Sequence, residues 1–303
     1  MNDYQKTFYS AASYNPTFPN FKNPETGMWD ENANANEVQN PLGRLDIDDR
    51  ETNAFINTNA RITWSINNDL KLSAFGSYTY NVKENKKYIP SSIKAGLSNR
   101  GEAYRGDNKS QSMLANLMLT YKKGFGKHYI NALGLAEVQR VTNTGFGSTV
   151  HGFSTDDFLY NNLQAGAVLK WGDNTSYYNN PSLASFMARV NYSYADKYIV
   201  TVNARTDGSS KVGENNKWAF FPSASLAWVL KEEAFLKDVD MISNLKLRVG
   251  YGLAGNQDAI SSYNSLPLMS PNGTTTVNGL PVVTMGVTRN YNPRFEVGSK
   301  ENF

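Results

Sequence analysis

Apolar and polar positions alternate along most of this chain with a period of two, the repeat of a strand whose side chains point to opposite faces. Between residues 55 and 66, Ile56, Thr58, Ala60, Ile62, Trp64 and Ile66 share one face, and Phe55, Asn57, Asn59, Arg61, Thr63 and Ser65 the other. After Asn67-Asn68-Asp69 the alternation resumes, with Leu70, Leu72, Ala74, Gly76, Tyr78 and Tyr80 opposite Lys71, Ser73, Phe75, Ser77, Thr79 and Asn81. Two such runs across a short polar turn predict an antiparallel hairpin. The unit recurs: Met113, Ala115, Leu117, Leu119 and Tyr121 lead through a turn at 122–127 into a partner over 129–140. Phe186, Ala188, Val190, Tyr192 and Tyr194 turn at Ala195-Asp196-Lys197 into Tyr198, Val200, Val202 and Ala204. Leu226, Trp228 and Leu230 precede a longer connection with a helix-forming patch at 232–236, and Leu245, Leu247, Val249 and Tyr251 follow it. The pattern predicts about eight strands of roughly ten residues, close to the length a tilted strand needs to cross a bilayer.

The connections alternate in length. Tight turns at Asn67, Gly124 and Asp196 separate long Gly/Asn/Ser-rich excursions at 82–110, 141–183, 206–219 and 252–290. Short turns on one rim and long loops on the other fit an antiparallel transmembrane β-barrel, although a soluble β-sandwich also alternates. Trp64, Tyr121, Tyr192, Tyr194, Tyr198 and Trp228 lie on the apolar face, each a few residues from the short-turn side. Amphipathic rings collected at one height predict an interfacial girdle, against the plainer reading that Tyr and Trp are good strand formers. Arg61, Lys71, Arg189, Arg205, Lys246 and Arg248 fall on the opposite face, where a water-filled lumen, or solvent around a sandwich, would receive their charge.

Composition narrows the chemistry. The 303 residues contain no Cys, which excludes disulfides and thiolate metal sites, and only two His, His128 and His151. A formal charge of +3 gives no electrostatic case for nucleic-acid binding. Mean hydropathy of −0.52, with no long apolar run, excludes a transmembrane helix but not a barrel. Met1-Asn2-Asp3-Tyr4-Gln5 is not a secretory signal, so the chain is either cytoplasmic or an internal piece of a longer one.

No enzyme constellation emerges. Asp207-Gly208-Ser209-Ser210 lacks the following helix that a phosphate cradle requires, and reads as a turn with Gly208 left-handed. Asp46, Asp48 and Asp49 lack the Gly and distal Glu of a calcium loop. The adjacent Glu232 and Glu233 would diverge on a helix, and His151, near Asp156 and Asp157, has no placed nucleophile. Neither a cofactor nor a metal is expected.

One block resembles a known family. Asp196-Lys197-Tyr198, Arg205-Thr206-Asp207-Gly208-Ser209-Ser210, Asn215-Asn216-Lys217-Trp218 and Phe221-Pro222-Ser223 follow one another in the order of the SusC/RagA family of TonB-linked outer-membrane proteins. The order continues through Trp228, Glu233-Ala234-Phe235, Leu245-Lys246-Leu247-Arg248, Tyr251-Gly252 and Gly255-Asn256-Gln257 to Tyr263. Upstream, Tyr14-Asn15-Pro16-Thr17 with Pro19, Asn40-Pro41-Leu42, and the segment from Gly152-Phe153 to Leu163 are also similar. Val212 and Phe295 depart from the pattern, standing where Phe and Trp are usual.

The resemblance implies that residues 1–303 are part of a TonB-dependent receptor barrel, without signal peptide, plug or final strands, and that the sheet is open and curved. It implies a Bacteroidota-like, Gram-negative outer-membrane importer of oligosaccharides or peptides, partnered by a SusD-like surface lipoprotein, the TonB complex and membrane lipid. Trp171, Tyr177 and Tyr178 are the loop aromatics that can stack on a sugar, or simply hold their loop together. The alternatives are a siderophore or vitamin receptor and, from another class, a soluble carbohydrate-binding β-sandwich.

Overall fold

The computed structural model describes residues 3–17, 21–30, 40–256, 260–263, 265–292 and 298–302. Helix α1 (Asp3–Ser13) is followed by the strands β1 (Asp48–Ser65) and β2 (Leu70–Ile89), the short helix α2 (Lys94–Leu97), β3 (Glu102–Phe125) and β4 (His128–Phe153). Next come β5 (Gly166–Val168), β6 (Asn174–Asn179), β7 (Ser182–Tyr194), β8 (Tyr198–Ser209), β9 (Trp218–Val229) and β10 (Lys246–Asn256). A hairpin of β11 (Leu268–Val277) and β12 (Leu280–Arg289) precedes β13 (Gly298–Asn302).

An eleven-stranded sheet runs in the order β1-β2-β3-β4-β7-β8-β9-β10-β13, with β5 and β6 both pairing β4, and β11-β12 form a separate sheet. The sheet does not close: β1 and β13 end the order among the described residues. The eight strands from β1 to β10 on this path are those the alternation predicts, and β13 adds a ninth.

Register preserves the two faces. Across β7, β8 and β9, Tyr194, Tyr198 and Trp228 are opposite one another, as are Ala188, Ala204 and Pro222 on the same face. On the other face Arg189, Asn203 and Ser223 align, and β10 continues the alternation with Leu247 opposite Trp228 and Arg248 opposite Ala227. A slip of one residue would exchange the faces, so every pair reinforces the same assignment.

The structure corrects several expectations. Strands β1 to β4 have 18, 20, 24 and 26 residues, well beyond ten. Much of the excursions at 82–110 and 141–183 is therefore strand, carrying β2 and β3 up to α2 and β4 out to Phe153. The patch at 232–236 forms no α-helix: a 3-10 turn, Leu230–Glu232, is followed by turns. Helix α1 was not anticipated. Pro19, Gln257 and Pro293-Arg294-Phe295-Glu296 lie outside the described residues.

The chain divides into two compact units, one of residues 1–56, 80–110 and 143–178, the other of 57–79, 111–142 and 179–303. The first holds a small buried core of Tyr88, Ala103, Val150, Phe153 and Tyr160. Tyr88 meets Phe153 edge to face at 5.6 Å, and its hydroxyl donates to Asp156 Oδ1 at 2.6 Å. The second unit contains strands whose apolar side chains stay exposed: Ile62 by 75%, Val249 by 67% and Leu226 by 62%. Exposed apolar rows on successive strands mark a surface that another apolar phase must cover.

Candidate functional site

The polar face of the second unit is a lattice of side-chain hydrogen bonds. Arg205 Nε donates to both oxygens of Asp207 at 2.8 and 2.9 Å, and Arg205 Nη2 reaches Ser185 Oγ at 3.1 Å. Arg189 Nε donates to Asn203 Oδ1 at 2.6 Å, and Asn203 Nδ2 donates on to Ser223 Oγ at 2.9 Å. On β1 and β2, Asn57 Nδ2 donates to Thr79 Oγ1 at 2.8 Å, Thr63 and Ser73 share a bond of 3.0 Å, and the Arg61 guanidinium sits 5.1 Å from the Phe75 ring. Lys71, Lys246 and Arg248 are exposed on this face. The arrangement offers donors, acceptors and cations to a polar solute, with the central members held by their neighbours.

The residues of the family block have separable roles. Asp207 is buried on the polar face against Arg205. Gly208 is not a left-handed turn residue: it is extended, inside β8, paired with Ala184 and Trp218. What requires a glycine is the Trp218 indole, which lies across it, so that a Cβ would come within 2.8 Å of ring atoms. Ser209 accepts the Lys211 N–H at 3.2 Å, and Ser210 exchanges bonds with Ser182 at 2.8 and 3.0 Å. The stretch is therefore the upper end of one strand and its tie to β7.

Further along, the Phe221 ring packs on Gly255, where a Cβ would run into it, while Pro222 lies opposite Ala204. Leu245 accepts the Lys231 N–H at 3.1 Å, and Asn256 pairs Gly298.

The aromatic residues on the apolar face gather into two rows. In the first, His128, Tyr194, Tyr198 and Trp228 lie side by side on four strands, with ring centroids 5.0, 6.5 and 6.4 Å apart in turn. Phe125 stacks on His128 at 5.4 Å, and the Tyr192 hydroxyl and His128 Nδ1 share a bond of 2.6 Å.

The polar tips of this row converge on one carboxylate. Glu233 accepts the Tyr198 hydroxyl at 2.7 Å, Trp228 Nε1 at 3.0 Å and Lys197 Nζ at 3.2 Å. The hydrogen bonds from Tyr198, Trp228 and Lys197 hold its carboxyl below the usual range, with burial opposing weakly. Four of the six expected rings are thus joined. Trp64, on β1, and Tyr121, on β3, have no ring partner among the described residues.

The second row was missed. Phe186 and Trp218 stack at 6.0 Å with 26° between planes, and Phe220, two residues on, is 60% exposed on the same face. The sequence carried the signal, since Trp218 has the same parity as Trp228 ten residues on.

In the first unit the loop aromatics separate. The Tyr177 hydroxyl donates to Asn108 Oδ1 at 3.0 Å, and its ring covers Gly145, so it binds its loop to the strands. Trp171 lies 56% exposed in the turn between β5 and β6, and Tyr178 is exposed in β6. His151 faces Asp173 at 3.3 Å and Glu102 at 3.4 Å, not Asp156, which is bound to Tyr88 and Ser91. Burial pushes the Asp173 carboxyl up, but the Lys170 N–H, His151 and the Lys170 charge outweigh it and hold it below the usual range. Asp46 accepts from Lys22 and Trp29, and Asp48 from Arg50 and Tyr160. These carboxylates hold the unit together and do not converge on a common centre.

Comparison with known proteins agrees with this two-faced sheet. A family model described as "TonB dependent receptor-like, beta-barrel" matches residues 2–295. A TonB-dependent receptor of Formosa agariphila is 35% identical over 246 residues, 80% of this chain and 24% of that protein. TonB-dependent receptor SusC of Bacteroides thetaiotaomicron is 32% identical over 253 residues, 82% of this chain and 24% of SusC. Among solved structures, the RagAB peptide transporter superposes with a TM-score of 0.78 at 19% identity, covering 93% of this chain and 30% of its own. The chain spans about a quarter of the length of these curated relatives. With nearly its whole length matched to one barrel domain, the chain belongs to the TonB-dependent receptor β-barrel family.

Proposed function

We propose that this chain is a sector of the wall of an outer-membrane importer that takes up oligosaccharides or peptides with energy delivered through TonB. The observation that carries the proposal is the two-faced sheet. One face presents exposed Ile62, Leu226 and Val249, and the other presents Arg61, Arg189, Arg205 and Arg248. Charges face a wet lumen and apolar rows face lipid, because a cation at the bilayer midplane costs about 2–4 kcal/mol.

The aromatic rows set the scale. Trp218 and Trp228 are ten residues apart on β9, a rise of about 33 Å along the strand. A tilt of about 40° makes that roughly 25 Å of height, the apolar band of a transmembrane barrel. In this reading His128, Tyr194, Tyr198 and Trp228 lie at the periplasmic interface, with Phe186, Trp218 and Phe220 at the outer one. Trp64 and Tyr121 extend the lower girdle.

A SusD-like lipoprotein covers the extracellular mouth, and the TonB complex acts on other parts of the complete protein. Trp171 and Tyr178 are the loop aromatics whose rings remain exposed to a ligand.

Deletion of the gene in its host, with and without TonB, tests the proposal using labelled oligosaccharides, oligopeptides and ferric siderophores. TonB-dependent uptake of an oligosaccharide or a peptide, lost on deletion, is the expected result. Loss confined to ferric siderophore uptake, or a detergent-free soluble gene product, would overturn it.

A further inference from the structure

A groove of about 640 Å³ opens on the apolar face between β4 and β9, and the membrane reading does not account for its charge. Its floor follows from register: Val138, Ala184, Gly208 and Trp218 form one row across β4, β7, β8 and β9. Gly208 is covered by the Trp218 indole, so the depressed floor is Ala184, flanked by Val138 on one side and by the indole on the other. Both walls are more than half exposed, at 57% and 55%.

The upper rim carries two cations, Arg140 and Lys217, and no lining residue is acidic. Arg140 Nε donates to Asn180 Oδ1 at 3.0 Å, which fixes the guanidinium stem without neutralising it. Among the described residues neither cation makes an ion pair. Ser182 and Ser210, also on the rim, tie β7 to β8 at this height.

We propose that this groove holds a phosphate-bearing glycolipid of the outer leaflet, one acyl chain over Ala184 between Val138 and the Trp218 indole and a phosphate against Arg140 and Lys217. The inference rests on the barrel reading above, which places the groove at the upper aromatic row, where lipid headgroups lie. An apolar trough with a basic rim and no counter-charge matches a molecule that is apolar below and anionic above. Lipid-facing cations near an interface are tolerated because their heads reach the headgroup layer, and here both converge on one trough. A neutral lipid would leave the two charges without a partner.

The test uses the complete barrel protein in detergent micelles, loaded with bisphosphorylated lipid A or its dephosphorylated form and weighed intact by native mass spectrometry. The phosphorylated form is expected to be retained roughly tenfold better, and Arg140→Gln with Lys217→Gln to bring the ratio near one. Ala184→Leu, which fills the floor and leaves both cations in place, is expected to lower retention of both forms. Excess inorganic phosphate is not expected to displace the lipid.

Equal retention of the two forms, an unchanged ratio in the double variant, full retention by Ala184→Leu, or displacement by phosphate alone would each overturn the proposal. Heat-modifiable migration on gels is scored on the same samples. A protein that shows the heat shift but no lipid preference overturns the groove alone, whereas one that lacks the shift overturns the barrel reading beneath it.

Discussion

Gly208 shows how a residue in a family pattern can be conspicuous for a reason other than the obvious one. Its context suggests a turn, yet its backbone is ordinary strand, and the constraint comes from the neighbouring indole. A Cβ would stand 2.8–2.9 Å from three ring atoms of Trp218, so Gly208→Val should tip the ring off β8 and break its stack on Phe186. Overpacking of this kind costs about 1–3 kcal/mol. The expected outcome is a lower midpoint of heat-induced unfolding on gels, while Gly134→Ala, with nothing within 4 Å of its Cβ, leaves the midpoint in place. Glu233 makes a pH-dependent contribution. Its folded carboxyl is held below the unfolded value by Tyr198, Trp228 and Lys197, so its stabilisation is present above the unfolded pKa of about 4.3 and is lost as pH falls through the lower folded value. Unfolding midpoints taken between neutral and strongly acidic pH should show the difference between the wild type and Glu233→Gln shrinking in that window. A difference that stays constant there would refute the assignment.

Elements were legible where lipid or a packed partner imposes alternation, and obscure where it does not. The hairpins of β1–β2 and β7–β8 follow from period two alone, with turns set by Asn67, whose Oδ1 accepts the Asp69 and Leu70 N–H groups at 2.9 Å, and by Ala195 and Asp196 at positive φ. The strand ends at 80–89 and 102–110 escaped notice because charges occupy both parities. Lys83 and Lys86, or Glu102 and Arg105, stand on opposite faces, which masks the alternation. The eleven residues of α1 carry too few apolar positions for a helical period to stand out. The connection after β9 was expected to hold a helix, but a side chain organises it instead. Lys231 Nζ donates to the carbonyls of Leu236, Lys237 and Val239 at 3.2, 3.1 and 2.8 Å, satisfying acceptors that a helix would have used internally. Lys231→Met should leave the sheet intact and open the segment at 233–243 to limited proteolysis. Unchanged cleavage would show that the ammonium is not what holds it.

The whole sheet has two ends, and neither is closed. The outer edges of β1 and β13 present backbone donors and acceptors with no strand beside them among the described residues. Inside a bilayer such edges are intolerable, and in water they recruit other strands. The chain produced by itself should therefore associate through its edges in detergent, giving a broad distribution by light scattering; a uniform monomer would contradict this. Membership of the barrel family was legible from the block between Asp196 and Asn256, because those residues serve packing duties that leave little latitude: Gly208 beneath Trp218, Gly255 beneath Phe221, Asp207 against Arg205. The groove was not legible, since it arises from a small residue, Ala184, set between Val138 and an indole carried from two strands away, which only register brings together. The ten residues between Trp218 and Trp228 also act as a gauge. A wall of roughly 25 Å is shorter than the typical hydrocarbon core of about 30 Å, so a thicker host bilayer would have to thin around it, at fractions of a kcal/mol per Å. Under the proposed girdle, the spacing of two indoles on one strand would sort the protein toward thin membranes, and lengthening the wall by two residues would shift that preference by about one lipid methylene pair per leaflet.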